Sequence, residues 1–229
     1  MISVILPSRG RPAKLQASLQ SVVEKATQLK DLEILVRLDH DDRDTLFVLD
    51  DIVNVHGETR FIVGPRYEGY PSMAIFWNEL ARQARGDWLV TFNDDAIMLE
   101  QAWDEVLLDY DHRLKENLVL HPFDNYNHTS FPILSSRVYE IFGHITRFCG
   151  VDTWSNCWTG AAEIEIKKVP TIRIQHQRPN IPNGGGTSDA AWEETALAQP
   201  AVGEDWDKNI SKYIDLAVED ALTLKEAFK

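Results

Sequence analysis

The sequence predicts an α/β fold, with a mostly parallel sheet flanked by helices and a helical appendage at the C-terminal end. Short apolar runs rich in β-forming residues alternate with segments of helical periodicity, a pattern typical of βαβ units. Two of these runs end abruptly in aspartates. Buried parallel strands show this pattern when their carboxyl ends open onto a site.

Composition sets limits on the class of protein. The 229 residues are enough for one domain with a substantial core, and 44% hydrophobic and 26% charged residues are ordinary for a globular protein. The net charge of −13 argues against generic nucleic-acid binding, which needs a basic face. We find no signal peptide, no membrane-spanning run and no CxxC motif, so we expect a cytoplasmic protein with reduced cysteines.

The first half of the chain contains the clearest alternation. A strand at Ile2–Leu6 is followed by a turn and by apolar residues at helical spacing from Ala13 to about Leu29. The next predicted elements are a strand at Leu32–Leu38, a short helix around Leu46–Val53, a strand at Arg60–Val63, a helix that follows Ser72 and runs to about Arg85, and a strand that ends at Asn93.

One more helix and strand continue the alternation, which weakens past residue 122. The predicted elements are a helix from about Gln101 to Lys115, a strand at Asn117–His121, a polar loop at His121–Phe131, a helix at Pro132–Phe142, a helix from Asp152 to about Trp158, and one or two strands within Ile164–Gln175. Apolar spacing from Ile210 to Leu224 predicts a C-terminal helix. We therefore expect a main domain at residues 1–178. Residues 179–229 are expected to form a flexible loop and a helix that packs on this domain.

The most informative stretch is the apolar run Trp88–Phe92, which ends in Asn93, Asp94 and Asp95. Hard oxygen ligands at the end of a strand can hold Mg²⁺ or Mn²⁺, and such a metal can hold phosphates in turn. The alternative is that Asp94 and Asp95 only turn the chain and cap the next helix.

Four segments, taken in order, resemble one known family. They are Ile2–Arg9, Leu38–Thr45, Asn78 with Ala84–Asp95, and Phe148–Trp154. The segments resemble the first strand, the acidic loop, the DxD-type metal motif and the base-carrying segment of glycosyltransferase family 2. The resemblance implies the Rossmann-like GT-A fold. It also implies metal-dependent, inverting transfer of a sugar from a nucleotide donor.

The resemblance places the nucleotide at the ends of the first two strands. Asp39 would meet the nucleobase, and a carboxylate there can accept the N3–H of uracil, which favours a UDP-sugar. A plain strand-end turn residue is the alternative for Asp39. Arg9 and Arg66 would meet the ribose or the diphosphate, because guanidinium pairs well with phosphate oxygens. Pro7 and Asp94 complete the expected nucleotide site.

The metal and the base are implied in the same way. Asp95 is the expected ligand of Mn²⁺ or Mg²⁺, and His176 would complete the metal site unless it is a structural strand-end histidine. Asp152 is the expected base that takes the proton of the acceptor, although the same segment would also suit a helix N-cap. Arg178 and Gly184–Gly186 are either a lid over the diphosphate or a linker.

Two other functions are alternatives to a glycosyltransferase. A sugar-phosphate nucleotidyltransferase would carry a glycine-rich loop after its first strand, but the segment Pro7–Pro12 contains one glycine. A non-catalytic binding module is suggested by His40 and Asn93, which stand where the family has acidic residues. The acids Asp39, Asp95 and Asp152 together argue against that alternative. We therefore expect an enzyme with a nucleotide-sugar partner, UDP as its nucleotide and an acceptor of unassigned class.

Overall fold

A computed structural model describes residues 1–53, 56, 58–67, 72–125, 130–177 and 206–229. Its strands are β1 (Ile2–Ser8), β2 (Leu32–Asp39), β3 (Thr59–Gly64), β4 (Trp88–Thr91), β5 (Ala96–Met98), β6 (Val119–Asp124), β7 (Ile133–Ser135) and β8 (Lys167–His176). Its α-helices are α1 (Pro12–Lys25), α2 (Arg43–Phe47), α3 (Leu49–Val53), α4 (Met73–Gln83), α5 (Trp103–Leu108), α6 (Ser136–Phe142), α7 (Val151–Ala162) and α8 (Trp206–Ala227).

In this described part of the chain the strands form one sheet in the order β3-β2-β1-β4-β7-β6-β8-β5. The first four strands are parallel, with Ile2 of β1 in register with Leu32 of β2 and with Trp88 of β4. Every residue of β2 and β4 is buried, because layers of helices and loops cover both faces. The carboxyl ends of β1, β2 and β4 therefore lie side by side at one edge, which we call the carboxyl edge. The α/β prediction is confirmed.

The second half of the sheet is mixed. β7 is antiparallel to both β4 and β6, β8 is parallel to β6, and β5 is antiparallel to β8. The helix predicted at Pro132–Phe142 is wrong in its first part, because Ile133–Ser135 pair with β4 as a buried strand. The loop predicted from His121 is also shorter, since β6 continues to Asp124.

The helix predicted from Gln101 to Lys115 is shorter than its apolar spacing suggests. In the structure α5 ends at Leu108. Just beyond it, the Asp111 side chain accepts hydrogen bonds from the backbone N–H and the guanidinium of Arg113. Such local side-chain bonds offer the backbone an alternative to continuing a helix.

Gly86, which precedes β4, occupies a position with no room for a side chain. A Cβ atom there would lie 2.5 Å from the backbone nitrogen of Ser3. The backbone N–H of Gly86 donates to Ser3 Oγ, and this hydroxyl in turn donates to the buried Glu33. The glycine therefore allows the chain that enters β4 to pass directly against β1.

The C-terminal helix α8 packs against α6 and α7. Ala217, Ala221 and Leu224 are buried in the core cluster on that side of the sheet. Asp220 is also buried. Its Oδ1 lies 2.9 Å from Arg147 Nη2, and its Oδ2 lies 2.9 Å from His144 Nε2. No helix in the described residues is both long and apolar enough to cross a bilayer. Residues 178–205, which include Arg178 and Gly184–Gly186, lie outside the described residues.

We propose that α8 unfolds together with the main domain as one unit. Replacing Asp220 by Ala removes the buried carboxylate that pairs with both Arg147 and His144, and we expect the free energy of unfolding to fall by about 2 kcal/mol, as for the loss of a hydrogen bond to a charged group. Glu219→Ala is the matched control, because Glu219 is 62% exposed and pairs with the same Arg147; its cost should stay below about 1 kcal/mol. Denaturant unfolding followed by far-UV circular dichroism and tryptophan fluorescence should give coincident transitions. Two separate transitions would contradict the proposal.

The buried His121 makes the stability of the protein depend on pH. Burial lowers the pKa of His121 to about 4, with Asp124 opposing and Lys168 adding to the shift. An unfolded chain takes up this proton near pH 6.5, so the native state loses stability as the pH falls from about 6.5 to about 4. The loss from this group should approach about 3 kcal/mol. The measurement is the free energy of unfolding of the wild type and of His121→Asn as a function of pH. If this free energy has the same pH dependence in both proteins, the pKa of His121 is not lowered.

Candidate functional site

The carboxyl edge of the sheet brings together most of the residues that the sequence predicts. Arg9 follows β1, Asp39 ends β2, Asp94 and Asp95 follow β4, and His176 ends β8. Pro7 lies within β1, in register with Arg37 of β2. The turn at Asp94 and Asp95 leads into β5 and not into a helix, so the helix-cap alternative for this pair is wrong.

Asp94 connects three elements of the site. Its Oδ2 accepts hydrogen bonds from Ser8 Oγ at 2.7 Å and from Arg11 Nε at 3.1 Å, and its Oδ1 accepts from Arg11 Nη2 at 2.5 Å. Asp94 is only 2% exposed. It therefore fastens the end of β1 and the start of α1 to the chain that leaves β4. Arg11 is not among the predicted site residues; its only sequence signal is its position directly before Pro12 at the start of a helix.

Asp95 lies beside His176. The distance between Asp95 Oδ1 and His176 Nε2 is 3.4 Å, and both side chains are buried. Pairing of Ala96 with His176 between β5 and β8 creates this proximity, and the N–H of Gln177 donates to the carbonyl of Asp95 at 2.7 Å. The edge of the His176 ring meets Phe131, with centroids 4.9 Å apart.

The Asp95–His176 pair fits a divalent cation. Neither ring nitrogen of His176 makes a hydrogen bond to any described residue, although both nitrogens are buried. A buried imidazole without a partner, next to a carboxylate, is a suitable donor set for Mn²⁺. Within the described residues no group of three or more His, Cys, Asp or Glu side chains is arranged around a common metal position. Mg²⁺ and Mn²⁺ commonly take further ligands from water or from phosphate oxygens.

Asp39 is held between two guanidinium groups. Arg9 Nη1 lies 3.0 Å from one carboxylate oxygen, and Arg37 Nη1 lies 3.2 Å from the other. Arg37 is itself 1% exposed, pairs with Glu79 at 2.8 Å, donates to the carbonyl of Pro65 and stacks 4.5 Å from the centre of the Phe76 ring. The orientation of Asp39 is thus fixed from behind by a buried arginine.

Arg9 and Arg66 form the outer rim of the site. Both approach Asp41, with Arg9 Nη1 at 2.5 Å from Oδ1 and Arg66 Nη1 at 3.7 Å from Oδ2. The hydrogen bond from Arg9 holds the pKa of the Asp41 carboxyl below its usual range. About a third of each arginine side chain remains exposed, so both cations face solvent at the carboxyl edge.

Asp152 lies on a different element from these residues. It is the second residue of α7, whose N-cap position is taken by Gly150, so the N-cap alternative for Asp152 is wrong. The segment that leads into α7 is fastened to α4 by Asn78. Its Oδ1 accepts from the N–H of Ile145 at 2.8 Å, and its Nδ2 donates to the carbonyl of Thr146 at 2.7 Å. The asparagine of the sequence motif thus has a structural task.

This mostly parallel sheet with its flanking helices has the architecture of the GT-A fold. The sequence model of glycosyl transferase family 2 matches residues 3–179, which is most of the chain. The chain therefore belongs to glycosyltransferase family 2, as its motifs predict. No protein with a curated description is similar to it in sequence.

Solved structures share this fold. The mannosyltransferase PcManGT from Pyrobaculum calidifontis, in complex with GDP-Man and Mn²⁺, matches with a TM-score of 0.66 and 12% identity over 99% of this chain and 74% of its own. S. aureus TarS 1-349 in complex with UDP matches with a TM-score of 0.61 and 12% identity over 76% of this chain and 59% of its own. The same part of TarS with UDP-GlcNAc has a TM-score of 0.60 and 11% identity, covering 82% and 61% of the two chains. This chain thus spans less than two thirds of TarS 1-349.

Proposed function

We propose that this chain is a metal-dependent, inverting glycosyltransferase that uses a nucleotide-sugar donor, with UDP as the nucleotide. The observation that carries the proposal is the buried Asp95–His176 pair at the carboxyl edge of the sheet. Ligands of open α/β sheets bind at this edge. Family membership supports a glycosyltransferase, and the complexes of TarS with UDP and of PcManGT with GDP-Man support a nucleotide-sugar donor.

The donor nucleotide would lie along the ends of β1 and β2. Asp39 retains acceptor lone pairs beyond those that meet Arg9 and Arg37, and one of these would accept the N3–H of uracil. Arg9 and Arg66 would exchange part of their contact with Asp41 for the ribose or the diphosphate, since phosphate oxygens suit a guanidinium. Pro7 would pack beneath this part of the donor.

Asp95 and His176 would hold a divalent cation, Mn²⁺ or Mg²⁺. When bound, the cation would supply Lewis-acid stabilisation of the charge that develops on the diphosphate leaving group. Asp94 would support this site indirectly. Its carboxylate is engaged with Ser8 and Arg11, and these bonds keep the neighbouring Asp95 in place.

Asp152 would act as the base. It would take the proton of an acceptor hydroxyl as the hydroxyl oxygen attacks the sugar carbon and the bond from that carbon to the diphosphate breaks. Attack from the side opposite the leaving group inverts the configuration. The position of Asp152 in the first turn of α7 supports this role, because a helix N-terminus favours a negative charge.

Free Cys149 and Cys157 support the proposal that the enzyme works in the cytoplasm.

Calorimetric binding of UDP tests the metal site. We expect UDP to bind wild-type protein in Mn²⁺ and to lose at least about 100-fold in affinity in Asp95→Ala, since a buried charged ligand is removed. Asp31→Ala is the control, because Asp31 is exposed in the connection between α1 and β2, at the opposite edge. Absence of UDP binding under every metal condition would overturn the proposed function. Tighter binding of GDP than of UDP would overturn the uracil assignment.

The base assignment has a separate test. Asp152→Asn keeps the size of the side chain but cannot take a proton, so kcat for release of UDP from a UDP-sugar should fall about 100-fold or more. The affinity for UDP should stay unchanged, because Asp152 does not hold the nucleotide. Glu140→Gln, on the exposed face of α6, serves as the matched variant. An unchanged kcat in Asp152→Asn would remove the residue from this role.

A further inference from the structure

The first turn of α1 carries a cation that the proposed roles leave unexplained. Lys14 is half-buried, but its ammonium nitrogen is shielded from solvent and makes no hydrogen bond to any described residue. Burying an ammonium is energetically costly unless an acceptor or an anion replaces the water that it loses. A side chain in this state is suited to receive an anion.

Two serines of α1 establish where Lys14 points. Ser18 Oγ donates to the carbonyl of Asn93 at 2.9 Å, and Ser21 Oγ accepts from the N–H of Met98 at 2.9 Å. At about 100° per residue, Lys14 lies between Ser18 and Ser21 in angle around the helix. It also lies one turn nearer the N-terminal end. Lys14 therefore faces the segment that carries Asp94 and Asp95, at the end nearest the carboxyl edge.

Arg11 extends the same basic surface. Two of its nitrogens bind Asp94, and the third, Nη1, lies 3.7 Å from Asp95 Oδ2. Arg11 thus compensates the two carboxylates of this segment, and Lys14 adds a second positive charge on the same side of the helix. A diphosphate that binds here adds at least two negative charges, and Arg11 and Lys14, at the N-terminal end of α1, would share them with a bound metal.

We propose that Lys14 and Arg11 form an anion-binding wall for the diphosphate of the donor. Part of the donor affinity is then independent of the metal. The identity of the donor in this inference rests on the proposed function. Binding of an anion by Lys14 and Arg11 does not require a nucleotide and can be tested separately.

The test measures binding in EDTA, where no metal contributes. UDP, inorganic pyrophosphate and uridine are titrated calorimetrically into wild type, Lys14→Met and Lys30→Met. Methionine keeps the length and helix propensity of lysine, and Lys30 is 80% exposed beyond the far end of α1. Lys14→Met should weaken UDP and pyrophosphate about tenfold and leave uridine within about twofold, while Lys30→Met matches wild type. Arg11→Met should weaken both anions at least as much.

The outcomes separate this inference from the proposed function. Equal UDP and pyrophosphate affinities in wild type and Lys14→Met, or no anion binding to wild type in EDTA, would overturn the wall. Mn²⁺-dependent UDP binding that needs Asp95 would still support the donor site in that case. Pyrophosphate binding that needs Lys14, with UDP bound no better than pyrophosphate, would support the wall and count against a nucleotide donor. Circular dichroism of each variant shows whether its fold is intact.

Discussion

The site depends on how one buried carboxylate is satisfied. Asp94 has almost no contact with solvent, so its charge must be met by donors inside the protein. Ser8 at the end of β1 and Arg11 at the start of α1 supply them. Because those donors belong to the first βα connection, the same bonds that make the charge tolerable also lock that connection to the end of β4. The turn that carries Asp95 is therefore held next to the first βα connection.

Neighbouring aspartates consequently have different tasks. The first faces inward and builds the junction, while the second, Asp95, faces His176. A similar division occurs at β2, where buried Arg37 pairs with Glu79 and orients Asp39 from behind. In both places a fixed, internally compensated charge supports a second group at the surface of the site. Such support suits a site whose ligand is highly charged, because little reorganisation is needed when the ligand binds.

The parallel half of the fold was predictable because its signals are local. β1, β2 and β4 are predominantly apolar runs, and the helices between them have clear apolar spacing. The other half was predicted less well. β5 and β7 have three residues each, too few for any periodicity, and they exist as strands only because partners that are distant in sequence hydrogen-bond to them. Tertiary pairing decided their state.

The fold class, the family and the acidic strand ends follow from residue types in a fixed order along the chain, so they could be predicted from the amino-acid sequence. The proximity of His176 to Asp95 could not, because it results from the pairing of β5 with β8. The contact of Arg11 with Asp94 and the orientation of Lys14 toward the same segment could not be predicted either. These relations depend on the packing of α1 against the chain after β4, and long-range packing leaves no periodic trace in the sequence.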